Sequence, residues 1–128
     1  MLIAVCIAAV LAALVHASIF VLETLRWEHP ATRRVFRTSA EQAAQTKQLA
    51  ANQGVYNLLL GIAALAGVVA IAAGAVDAGL AVVLTATGTM LGAALYLVLS
   101  DRKLARAALV QGIFPLLAVI ASVVALLR

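Results

Sequence analysis

The chain has 128 residues, of which 66% are hydrophobic and only 11% charged. A soluble domain this short buries only part of its apolar surface and carries about twice that share of charge, so a water-soluble fold is excluded. The net charge of +4 sits in short segments between apolar runs rather than in a stripe with interleaved aromatics, which excludes a nucleic-acid interface.

The first apolar span covers about residues 2–25. It has no basic leader and continues unbroken to Leu25, so it reads as a membrane span and not as a cleavable signal. Cys6, the single cysteine, rules out an internal disulfide and a cysteine-based zinc site. Within this span His16 and Glu23 are seven residues apart, on one helical face and about 10 Å apart along the axis. An ionisable residue inside a span costs about 2.5–3.5 kcal/mol at the bilayer centre, which makes both residues candidates for function. The competing reading is structural, with Glu23 paired to a loop arginine and His16 bonded across helices.

Residues 26–49 form the one sizeable loop and hold Arg26, Arg33, Arg34, Arg37 and Lys47. Arg33, Arg34 and Arg37 are placed to meet anionic lipid head groups. Trp27 reads as an interfacial aromatic or a ligand contact, and Glu28 with His29 as a solvated pair. Pro30 separates the first span from the next helix. Ser39 with Gln42 three residues later predicts a capping box, from which that helix runs into the second span as a rod of roughly 50 Å.

The second span, about residues 50–74, opens with Asn52, Gln53, Tyr56 and Asn57. The third, about 79–99, contains the GxxxG pair Gly88 and Gly92 and ends near Tyr96 and Ser100. The loop after it holds Arg102, Lys103 and Arg106. The fourth, about 107–127, opens with Gln111 and contains Pro115. No segment alternates polar with apolar residues, so a membrane β-barrel is excluded. Eight of the nine Lys and Arg lie in the two basic loops, with only Arg128 on the other side. The positive-inside rule places those loops in the cytoplasm and both termini outside.

Helical spacing predicts the faces that pack together. They are Ala9, Ala12, His16, Phe20, Glu23 and Trp27 in the first span, and Gln53, Tyr56, Asn57, Leu60, Ala64 and Gly67 in the second. In the third they are Ala81, Thr85, Gly88, Thr89, Gly92 and Tyr96, and in the fourth Gln111, Pro115, Ala118, Ser122 and Ala125. The expected architecture is all-α: one transmembrane domain over residues 1–128, a four-helix bundle with its polar residues gathered at the cytoplasmic end. Glu23 is the candidate acid or base and His16 its deeper partner. Asn52, Gln53, Tyr56, Asn57, Gln111 and Trp27 are the candidate ligand donors. His16, Glu23 and His29 do not have zinc-ligand spacing, no serine has a suitably spaced base, and no cofactor or metal is expected.

The run His16-x3-Phe20-x2-Glu23-x3-Trp27, then Arg34-Val35-Phe36, then Ala50-Ala-Asn-Gln-Gly-Val-Tyr-Asn57, then Gln111-Gly112 before a proline resembles the DUF1304 family of small four-span membrane proteins. The resemblance implies the fold and topology over nearly the whole chain and brings no reaction with it. Three functions stay open from the residues: a site for an amphiphilic ligand in the cytoplasmic leaflet, binding or transforming it; a proton-coupled small transporter; and an accessory subunit whose polar residues only hold helices together. A multi-pass location in a cell membrane, of the bacterial inner-membrane kind, is expected. So is a homo-oligomer of two or three copies in contact with membrane lipids.

Overall fold

The computed structural model describes residues 1–127 and is helical, with no strand among them. Four helices are long and apolar enough to cross a membrane, and the protein is a multi-pass membrane protein. Helix α1 is Leu2–Phe20, continued by a π-helical turn Val21–Leu25. A short α2, Pro30–Phe36, lies in what the sequence presents as loop. Helix α3 is Ala40–Ala72, α4 is Val76–Ser100, and α5 is Ala105–Leu126 after a 3-10 turn Arg102–Leu104.

Local chemistry explains the boundaries. Pro30 occupies the first turn of α2, where its missing N–H costs nothing, and His29 caps that helix by accepting from the Ala31 N–H at 3.2 Å. His29 is therefore a cap and not a solvated partner of Glu28, which instead pairs with Lys47 on α3. Ser39 and Gln42 form the expected capping box at 3.1 and 3.2 Å. Helix α3 runs 33 residues, roughly 50 Å, so its first ten or so residues extend past a hydrocarbon core of about 30 Å. The turn from α3 to α4 passes through Gly74 at φ 89°, a conformation that an added Cβ would strain.

Each long helix packs against its chain neighbours, and α5 closes the ring against α1, while α1 and α4 sit on a diagonal. The core is built largely from small residues. At the end away from the basic loops Val5, Ala9, Ile71, Leu80 and Val83 pack together. Ala12, Ala13, Ala64, Ala86 and Met90 form the next layer. Lipid gives no hydrophobic drive between helices, so this close approach supplies the packing energy.

The predicted faces hold for α1 and largely for α5, where Ala108, Gly112, Pro115, Ala118 and Ser122 are buried. They fail for α4. Its buried side is Gly79, Leu80, Val83, Ala86, Thr87, Met90 and Ala94, whereas Ala81, Thr85, Thr89, Gly92 and Tyr96 face outward. Space left by alanines and glycines on neighbouring helices is filled by larger residues of α4, so its small stripe is not the packing face. Thr85 and Thr89 satisfy their hydroxyls on carbonyls one turn back, at 2.8 and 2.9 Å, so they face outward without leaving a donor unpaired.

Candidate functional site

The site forms where α1 loosens into its π-turn. A π-turn takes an extra residue into the helix and re-aims the side chains after it. Glu23 lies in this turn, half-buried, and its Oε2 accepts from the Asn57 Nδ2 of α3 at 3.0 Å. The same amide also donates to the Gln53 carbonyl at 3.1 Å, which fixes its orientation. Next to it, the Thr24 hydroxyl donates to the Ala51 carbonyl at 3.1 Å. Gly54 makes this approach possible, because a Cβ there would overlap outright with the Thr24 hydroxyl and come within 3.1 Å of the Glu23 Cβ. Two turns further along α3, Gly61 lies against the Ala13 backbone, where a Cβ would come within 3.2 Å of the carbonyl oxygen, a tight contact rather than an overlap.

His16 is deeper and almost fully buried, with 1% exposure. Its Nδ1 donates to the Ala12 carbonyl at 2.9 Å; a carbonyl only accepts, so in the neutral ring Nε2 is left as an acceptor. Trp27 commits its indole N–H to α3, to the Ala43 carbonyl at 3.1 Å and the Thr46 hydroxyl at 3.2 Å. Its ring packs on Phe36 of α2 with centroids 5.1 Å apart. Its position is that of a brace between the end of α1, α2 and α3.

Of the second-span residues expected to converge on Glu23, only Asn57 does so. Asn52, Gln53 and Tyr56 are exposed on the outer side of α3, Tyr56 by 58%. The reason is rotational: Ala50, Gly54 and Gly61 take the side facing the core, and at about 100° per residue that turns the positions just before Asn57 outward. Gln111 is half-buried on α5 and makes no hydrogen bond to Glu23, His16 or Asn57. Arg33, Arg34 and Arg37 share, with Pro30 and Thr38, the lining of an open cavity of about 370 Å³ beside α2. A second, apolar groove of about 230 Å³ lies between α4 and α5, with Ala94, Leu95, Ala108 and Gly112 among its walls.

The π-turn, Thr24 and Gly54 are the parts that sequence reasoning missed. Nothing in Val21–Leu25 marks an extra residue per turn. Gly54 had a signal in the spacing of small residues. The family model described as a protein of unknown function, DUF1304, matches residues 10–123, which takes in the site and most of all four long helices. The chain belongs to the DUF1304 family. The match confirms the resemblance carried by His16, Glu23, Trp27 and the Asn52–Asn57 run. In this DUF1304 chain the first three lie on one continuous stretch from α1 into the connection to α2, and Asn57 alone of the fourth group reaches that stretch through a side-chain hydrogen bond. No curated protein and no solved structure matches the chain.

Proposed function

We propose that this protein binds an amphiphile at Glu23 and Asn57, taking its polar part from the cytoplasmic leaflet. One observation carries the reading: a carboxyl group within a spanning segment meets an amide and no cation. Among the described residues the one ion pair is Lys47 with Glu28, outside the spans. Carboxyls in membranes are ordinarily paired within the protein, because leaving them unpaired is costly. A head group with N–H or O–H donors supplies the missing partner. The exposed Asn52, Gln53 and Tyr56 lie along the lipid-facing approach and orient that head group. If the bound molecule is transformed, Glu23 is the acid or base and His16 the deeper proton partner.

Transport is the weaker reading. Beyond His16 the core is the layer of Ala12, Ala13, Ala64, Ala86 and Met90 and then that of Val5, Ala9, Ile71, Leu80 and Val83, with two buried hydroxyls, Thr87, which donates to the Val83 carbonyl of its own helix, and Ser122 on α5. A half with no ionisable side chain among these buried residues favours binding from one leaflet over passage across the membrane.

Glu23→Gln keeps the side-chain shape and removes the carboxylate. The retained small molecule, identified by mass spectrometry of purified protein, is expected to fall by about tenfold or more, the worth of one charge-assisted hydrogen bond. The melting temperature should stay near that of the native chain. Unchanged retention with a lowered melting temperature would make the carboxyl structural, and the accessory-subunit reading would replace this one.

The orientation rests on the eight basic residues at one end. In a Cys6→Ala background, an impermeant thiol reagent added outside intact cells should label Asp77→Cys and spare Arg34→Cys. The reverse pattern would move the site to the exterior. We also propose a homo-oligomer, a dimer or a trimer, in which the outward face of α4 meets a second copy. A Cβ at Gly88 or Gly92 meets nothing within 4 Å, so both are open to close approach. Gly88→Leu should shift cross-linked species in lipid toward monomer, and cross-linking of the native chain that yields only monomer would end the proposal.

A further inference from the structure

Helix α2 carries Arg33 and Arg34 and is closed by Arg37, and all three arginines line one open cavity. Its place is fixed from both sides. Thr32 is buried, with 1% exposure, and Phe36 packs on Trp27, whose N–H is bonded to Ala43 and Thr46 of α3. Those α3 residues lie in the ten or so positions that extend past the hydrocarbon core, so α2 is held at head-group level. The arginines are also uncommitted as charges. Glu28 pairs with Lys47, and Glu41 forms no ion pair with any described residue. Arg33 uses its Nε on the Glu28 carbonyl at 3.2 Å, which pins the guanidinium and leaves its terminal nitrogens for another acceptor. Arg37, in the left-handed conformation at φ 52°, closes α2 with its N–H on the Arg33 carbonyl and turns the chain around the cavity rim.

We infer that this cavity is a phosphate-monoester site, in which Arg33, Arg34 and Arg37 donate forked hydrogen bonds to one dianionic phosphate. Nothing in this site depends on the reading of Glu23. Three forks suit a terminal phosphate with three free oxygens better than a phosphodiester, which offers two. The group is supplied either by a lipid with a terminal phosphate or by soluble phosphate.

The test uses the full-length protein in a neutral detergent and measures binding of dioctanoyl phosphatidic acid against dioctanoyl phosphatidylglycerol by native mass spectrometry. The monoester lipid is expected to bind about tenfold tighter, the difference of one further charge-assisted hydrogen bond. The triple variant Arg33→Lys, Arg34→Lys, Arg37→Lys keeps every charge and removes the forks. It should lose most of the preference for the monoester, keeping only what the extra negative charge of the dianion supplies. Its melting temperature should fall little, because Arg34 and Arg37 are exposed and Arg33 gives up one hydrogen bond to the Glu28 carbonyl. Competition by inorganic phosphate distinguishes the sources: displacement of the lipid shows that soluble phosphate suffices, and persistence shows that the acyl anchor is needed. Equal affinity of the native chain for the two lipids, or an undiminished preference in the lysine variant, would reduce the cavity to diffuse charge and overturn the inference.

Discussion

Gly79→Val is expected to prevent α3 and α4 from closing on each other, and Gly67→Val to do the same. A Cβ built on Gly79 comes within 2.7 Å of both the Gly67 carbonyl oxygen and the Ile71 nitrogen. One built on Gly67 comes within 2.9 Å of the Gly79 carbonyl oxygen and the Val83 nitrogen. The obstructing atoms are backbone, so no side-chain rotation relieves the overlap and the helices must move apart. Overpacking of a core costs about 1–3 kcal/mol and occasionally more. Two backbones in contact put these sites at or above the top of that range. The separation would also open the layer of Val5, Ala9, Ile71, Leu80 and Val83, whose contacts depend on the same approach. Unfolding in mixed detergent micelles measures the loss. The control is Gly92→Val, whose Cβ meets nothing within 4 Å of it, and which should leave the single chain's stability unchanged. Equal stability of Gly79→Val and Gly92→Val would show that the α3–α4 contact is not where the fold holds together.

Particular residues show how far the sequence could be read. The four spans were legible because apolar runs of about twenty residues have one physical solution in a bilayer. The start of α3 was legible from Ser39 and Gln42, because a capping box is a local device that needs no tertiary partner. The faces were legible only where small residues and polar residues agreed. On α1, Ala9, Ala12 and His16 do agree, and all three are buried. On α3 they conflict. Ala43, Ala50, Asn57, Ala64 and Ile71 recur every seven residues, with Gly54 and Gly61 beside them, and this heptad is the packing side. Weighting amides over glycines moved the predicted face toward Gln53 and Tyr56. On α4 the small stripe misled altogether, because which helix contributes the large residue to a shared layer is decided by its neighbours. The π-turn at Val21–Leu25 has no local signature. It is the accommodation that lets Glu23 and Thr24 both reach α3, and so it depends on Gly54 and Asn57, about thirty residues away.

That dependence makes a second large effect, expected at Gly54. Gly54→Ala places a methyl group on the Thr24 hydroxyl and against the Glu23 Cβ. The chain must then shift α3 away from the π-turn, which lengthens both the Thr24–Ala51 and the Glu23–Asn57 hydrogen bonds. One added carbon therefore has two effects. Stability should fall by about 1–3 kcal/mol, as for other overpacked sites. Ligand retention should fall as far as it does in Glu23→Gln, although the carboxylate is intact, because the amide that orients it has moved. Thr24→Ala alone removes one interhelical hydrogen bond, worth about 0.6 kcal/mol within a membrane. It also removes the atom that the new methyl group strikes. The double variant Gly54→Ala, Thr24→Ala should therefore be more stable than Gly54→Ala alone, with a coupling on the order of 1 kcal/mol in a double-mutant cycle. It should also recover most of the ligand retention, because the contacts that remain, with the Glu23 Cβ and the Thr24 nitrogen at 3.1 and 3.2 Å, yield to a shift of a few tenths of an ångström. A merely structural role for the π-turn predicts recovery of stability without recovery of retention. Additive losses in the cycle would mean that Thr24 and Gly54 do not meet, and that some other contact sets the position of Glu23.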